Sequence, residues 1–140
     1  MDTKKFLIGT IVGGLTFFFV GWLIYGMALM SFMMEHSGSA QGVSRAEDMV
    51  WWSLLVGNFA SGALFTYVFM KWANINSFGG GFAAAATMGF LMAAGFDFSM
   101  YGTSNIMDLT GTIVDIVAYT VMAGIGGGAI GAVLGMGNKA

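Results

Sequence analysis

LTGTIVDIVAYTVMAGIGGGAIGAVLG, residues Leu109–Gly135, decides how the rest of the chain is read. The run is long enough to cross a bilayer, since a span needs about 20 apolar residues. It carries a single acid, Asp115. Its second half is mostly small: Gly124, Gly126, Gly127, Gly128, Ala129, Gly131, Ala132 and Gly135. In water so many glycines would make a poor helix, because each costs about 1 kcal/mol against alanine. In lipid the same residues let a partner backbone come close. The stretch therefore reads as a packed transmembrane helix with one ionisable group near its start.

The whole chain has that character. It is 57% hydrophobic and 9% charged, whereas a soluble domain has about 25% charged residues. The mean hydropathy is +0.80. A net charge of −2, without a basic patch, argues against nucleic acid as a partner. The absence of cysteine excludes disulfides, thiolate metal sites and cysteine nucleophiles. The absence of proline leaves glycine or a π-turn as the source of any helix irregularity.

Working outward, hydropathy predicts one all-α domain over 1–140, a bundle of four transmembrane helices over about 6–34, 49–70, 78–98 and 109–135. Residues 1–5, MDTKK, form a basic head. The run after it resembles a signal peptide at first. It continues well past the usual h-region of about 7–15 residues and meets no A-x-A site, so it reads as a retained span. Residues 35–48 form the one clearly polar loop, with Ser44 and Glu47 spaced as a capping box for the second helix. Tryptophans at both ends of that helix fit interfacial belts. Short connections make neighbouring helices antiparallel. Lys4, Lys5, Lys71 and Lys139 then fall on one side and Arg45 on the other, which predicts both termini in the cytoplasm. Glu35, Glu47, Asp48, Asp97 and Asp108 cluster towards the opposite face, with Asp115 just inside it.

Helical periodicity places Asp108, Gly111, Thr112, Asp115, Ala118, Tyr119 and Met122 on one face of the fourth span. It places Asp97 with Ala86, Phe90, Ala93 and Ala94 on the third, and Asn58 with Ser61, Gly62 and Phe65 on the second. On the first, Thr16 falls with Gly9, Val12, Gly13 and Phe19. Gly124, Gly127, Gly128, Gly131 and Gly135, with Gly81, Ala85 and Gly89, are the expected close-packing positions. Gly79-Gly80-Gly81 lacks the G-K-[ST] ending of a phosphate loop and reads as backbone packing.

Asp115, about six residues or roughly 9 Å into its span, is the sharpest candidate for a proton or cation site. An intramembrane acid is costly and commonly functional. Asp97 is the second candidate. The alternative for Asp115 is a structural acid bonded to Asn58, Tyr119 or water. Asn58 is expected to hydrogen-bond across helices. Met27, Met30, Met33 and Met34 run towards His36, and Met88 and Met92 form an M-x-x-x-M. Thioethers suit soft metals, but methionine is also an ordinary apolar filler, and neither a metal nor a cofactor is expected. One histidine, without G-x-S-x-G or H-E-x-x-H, gives no catalytic motif; no enzyme is predicted.

Gly21-Trp22-Leu23-Ile24-Tyr25-Gly26, the Gly/Ala-rich third span, and Val114-Asp115-Ile116-Val117-Ala118-Tyr119 leading into a Gly-rich end resemble a family of uncharacterised bacterial four-helix membrane proteins. That family commonly has a Trp-Tyr pair where this chain has Ile24-Tyr25. The resemblance implies a four-helix fold in a bacterial inner membrane and no particular activity. The excess of packing residues over any reaction centre makes an accessory subunit or self-associating homo-oligomer the leading expectation. A small proton- or cation-coupled transporter or channel using Asp115 and Asp97 is the alternative. A third reading is an apolar-ligand pocket lined by Trp22, Tyr25, Trp51 and Tyr119.

Overall fold

The computed structural model describes residues 1–45 and 48–137. Helix α1, Thr3–Gly21, continues directly as a π-helical stretch, Trp22–Ala28. A short α2, Met30–Glu35, follows. Helix α3, Trp51–Val68, runs into a second π-helical stretch, Phe69–Ala73; then come α4, Phe78–Thr103, and α5, Leu109–Gly135. Four helical segments are long and apolar enough to cross a membrane: Thr3–Ala28, Trp51–Ala73, Phe78–Thr103 and Leu109–Gly135. With no proline available, the irregularities are π-turns. At the first, Leu29 N–H donates to Ile24 C=O at 2.7 Å, a bond five residues back.

Local chemistry sets the helix starts. Asp2 accepts from the Lys4 and Lys5 amides, Ser77 from Gly80 and Asp108 from Gly111, each satisfying an otherwise orphaned first-turn N–H. Helix α3 differs from expectation: it starts at Trp51 behind Val50, with no side-chain cap. Ser44 lies upstream of that start, and Glu47, with Ala46, lies outside the described residues, as do 138–140 and so Lys139. The connection from α3 to α4 is made by Asn74 at φ 49°. That left-handed conformation is one asparagine tolerates better than most residues.

The tightest packing joins α4 to α5. Helix α4 buries Gly81, Ala85, Gly89, Ala93 and Asp97, one residue in every four. A Cβ on Gly131 would strike the Ser77 carbonyl. On Gly127 it would meet the Ala85 side chain, on Gly81 the Gly127 carbonyl, and on Gly135 the Asn76 carbonyl. A Cβ on Gly89 would lie 2.5 Å from the Ala123 methyl. The partner numbers rise on one helix as they fall on the other, so the pair is antiparallel, in a register that steps by four on both sides. Such i±4 ridges are the geometry of close helix crossing. Carried two steps beyond Ala123 and Gly89, the same register sets Asp115 opposite Asp97. Phe78 and Phe82 cover Gly128 and Gly124.

Helix α5 is the centre of the bundle. Half of its most apolar window is buried, against 22–28% for the other three spans. It packs along α4 and on α1, and α1 in turn packs on α3; α3 and α4, though consecutive, do not pack along each other. Gly13 on α1 marks where three helices converge, since a Cβ there would approach Ile130 at 2.6 Å and Gly62 at 3.1 Å. Around this point Phe17, Phe65, Phe69, Ile130 and Leu134 form the core, with the Phe17 and Phe65 rings 5.6 Å apart.

Two expectations are revised. Asp97 shares its buried face with Gly81, Ala85, Gly89 and Ala93, not with Phe90, which is exposed, or Ala86, which is half-buried. The face follows the four-residue step of the α5 contact rather than a broader apolar arc. Helix α4 also continues past Phe98 to Thr103. Ser99, Thr103 and Ser104 donate to the carbonyls four residues back, at 2.7, 2.8 and 2.7 Å, so polar residues here sit on helix rather than in a loop. Gly127→Leu and Gly131→Leu should each lower the thermal stability of the purified chain in detergent, by about 1–3 kcal/mol for overpacking. The volume-conserving Ile130→Leu should cost less than about 1.5 kcal/mol. Equal melting of all three variants would contradict the seam.

Candidate functional site

The ladder of small residues ends at two acids. Asp97, in the last third of α4, is 6% exposed. Asp115, on the second turn of α5, is half-buried. Their carboxyl groups lie within hydrogen-bonding reach of each other. Asp97 Oδ2 is buried and has no hydrogen-bond partner among the described residues. Two carboxylates offer only acceptors, so their approach calls for a proton or another cation between or beside them. Buried polar atoms are seldom left unpaired; of the three such side-chain oxygens among the described residues, on Thr10, Thr66 and Asp97, this one belongs to an acid.

Tyr25 completes the group from the other side. It lies in the π-helical stretch that continues α1. Its hydroxyl donates to the Asp115 carbonyl at 3.4 Å and is within reach of the Asp115 carboxyl. The wider π-turn thus brings a hydroxyl from α1 to acids held by α4 and α5, and π-turns often mark functional positions. Tyr119, one turn after Asp115, is half-buried and lies near Gly89, whose Cβ would sit 3.5 Å from its ring.

Asn58 does not join them. Its amide donates to Leu54 C=O, one turn back on α3, at 2.7 Å, and no cross-helix hydrogen bond is made by it among the described residues. The expected link from Asn58 to Asp115 is replaced by the Asp97 and Tyr25 contacts. The reason is the helix order, in which α3 packs mainly on α1 and only lightly on α5.

A cavity of about 150 Å³ opens beside the acids, lined by Asp97, Asp115, Met100, Tyr101, Met107 and Thr112 among others. Its loop end is held by a latch. Asp108 N–H donates to His36 C=O at 3.0 Å, Gly38 N–H to Ile106 C=O at 2.8 Å, and Ala40 N–H to Asn105 C=O at 3.0 Å. His36 Nδ1 donates to Asp108 Oδ2 at 2.9 Å, and the His36 ring packs on Phe32 with centroids 4.3 Å apart. The other Asp108 oxygen accepts from Gly111 N–H at 2.7 Å and so caps α5. Ile106 and Met107 belong both to this strip and to the cavity wall. His36, expected as an ordinary loop residue, therefore ties the two loops at this end together.

Comparison with protein-family models, with curated proteins and with solved structures finds no match for this chain.

The Gly111 amide, and then the His36 hydrogen bond, hold the Asp108 carboxyl below the usual carboxylate range despite some desolvation. A depressed native value means the carboxylate stabilises the fold fully above its unfolded value of about 3.9. That contribution is lost as pH falls through the lower native value. The latch should therefore persist at mildly acidic pH and weaken only in strong acid. Asp108→Ala should speed hydrogen exchange at the Gly111 and Gly38 amides. Asp108→Asn, which preserves the cap acceptor, should protect Gly111 nearly as well as the native residue does.

Proposed function

We propose that this chain is a multi-pass membrane protein that binds a proton or small cation at the Asp97–Asp115 pair, as part of transport or conduction. The single observation that carries this reading is a buried Asp97 carboxyl, one oxygen of which is unpartnered, within reach of the Asp115 carboxyl. If the pair were only structural, a serine, an asparagine or two apolar residues would fill the same place at lower cost, since an acid within a span is unfavourable by about 2.5–3.5 kcal/mol near the centre. Paired intramembrane acids are a recurrent means of carrying protons or ions. A bacterial inner membrane is the proposed setting, following the family resemblance of the sequence.

A second reading, an accessory subunit or self-associating bundle, is favoured by a different observation. A Cβ on Gly57 of α3, or on Gly95 or Gly102 of α4, would meet nothing within 4 Å, and α3 and α4 leave each other's flanks uncovered. Backbone open in this way suits close approach by another helix.

The two readings separate experimentally. In liposomes the wild-type chain should support proton- or cation-dependent flux, and Asp97→Asn and Asp115→Asn should each reduce it to background while the chain still folds. Flux unaffected by both substitutions would remove the transport reading. Absence of flux together with a stoichiometric larger partner in mild detergent would leave the subunit reading in its place.

The proposed orientation puts both termini in the cytoplasm. Lys4, Lys5 and Lys71 share one end of the antiparallel bundle, and Glu35, Arg45, Asp48 and Asp108 share the other, an asymmetry of basic residues that favours this direction. Because the chain has no cysteine, single-cysteine labelling is free of background. An impermeant thiol reagent applied to intact cells should modify Ser39→Cys and spare Ser77→Cys; the opposite pattern means the reverse orientation.

A further inference from the structure

We propose that the cavity beside Asp97 and Asp115 takes a small organic ammonium ion, a monocation of about the size of tetramethylammonium. This rests on the cation-binding reading of the carboxyl pair and narrows it to a ligand class.

The charge requirement comes from Asp97. It is 6% exposed, it lines the cavity, and its Oδ2 has no partner among the described residues. A buried carboxyl oxygen without a donor is costly unless a positive group reaches it. Asp97 and Asp115 are the two acidic residues on the cavity's lining, which carries no basic residue.

The size limit comes from the volume. The cavity holds about 150 Å³, space of the kind that admits a benzene-sized molecule. A compact alkylammonium fits within that space.

The chemistry of the walls decides between the remaining cations. A bare hard metal ion asks for about six to eight oxygens around it. Among the described residues no three His, Cys, Asp or Glu side chains converge anywhere. Beside the two carboxyls the lining offers as side-chain oxygens the hydroxyls of Ser104, Thr112 and Tyr101, and Ser104 is held to Met100 C=O at 2.7 Å and Thr112 to Asp108 C=O at 2.9 Å, each against its own helix. The rest of the lining is Phe96, Met100, the Tyr101 ring, Ile106 and Met107. Rings and thioethers are poor partners for a hard ion and good ones for methyl groups on a positive nitrogen. An alkylammonium satisfies both sides, with its charge towards the carboxyls and its methyls towards the rings and sulfurs. Phe96 and Tyr101 are 67% and 44% exposed, so the rim is apolar and suits a cation that partitions into the bilayer.

The test uses the full chain, purified in dodecyl maltoside and titrated by calorimetry at constant ionic strength with tetramethylammonium, tetrabutylammonium and sodium chlorides. Tetramethylammonium should bind saturably and tetrabutylammonium about tenfold more weakly or worse, a comparison that needs no variant. Asp97→Asn should weaken tetramethylammonium binding about tenfold or more, the loss expected when a charged partner is removed. Equal affinity for the two ammonium ions overturns the assignment to this cavity. Saturable sodium binding that depends on Asp97, without ammonium binding, overturns the ligand class and leaves the cation-binding reading intact. If the wild-type chain binds none of the three and Asp97→Asn leaves flux unchanged, both fall.

Discussion

The close approach of α4 and α5 is the constraint on which the rest of the structure depends. Six positions spaced by four residues run down each side of their interface. Over four of them a glycine or alanine on one helix lies against backbone or a methyl on the other. Nothing larger than hydrogen fits at Gly131 or Gly81 without displacing a carbonyl. Dispersion over the whole seam, small for each atom pair, adds up because the two backbones are near enough to contribute. In lipid, where no hydrophobic force drives helices together, this is the main source of cohesion available.

The acids follow from the same register. Asp97 and Asp115 occupy the next positions of a ladder whose lower steps are glycine and alanine, so the tight part of the seam holds them in place. Beyond Tyr119 a cavity lies beside the two acids. At that end the loops are tied down by the Asp108 cap and the His36 contact. On the opposite side, α1 presents Tyr25 through its π-helical stretch. Three helices thus supply one polar group each to the same small volume, while the outer surfaces of all four remain bulky and apolar.

Much of this was legible in the residues. Gly81, Ala85, Gly89, Gly127, Gly131 and Gly135 are small enough to be recognised as packing positions in any apolar helix. Asp115 and Asp97 stand out because ionisable groups are rare in such runs. Asn58 was misleading for a physical reason: an amide on a helix can be satisfied by the carbonyl one turn back, and sequence does not show which choice it makes. Tyr25 was not legible as part of the acid pair, because a straight α-helix and a π-turn aim the same residue differently. A usable signal was nevertheless present. Ser77, Gly81, Ala85, Gly89, Ala93 and Asp97 repeat at four, and so do Asp115, Tyr119, Ala123, Gly127, Gly131 and Gly135. Laid antiparallel across the short 104–108 connection, the two series match acid to acid.

The sequence by itself determined the number of long apolar helices, their antiparallel succession and the small residues suited to close packing. Those properties depend on composition, spacing and loop length, all of which are local. Tertiary structure alone decided that α5 is central, that α3 and α4 stand apart, and that Asp97, Asp115 and Tyr25 meet. These depend on which small face finds which partner, and several glycine-rich faces of similar depth could have paired. The choice was made by side chains far apart in the chain, such as Ile130 filling the space at Gly13 and Phe17 that at Gly126, where only the packed molecule shows the fit.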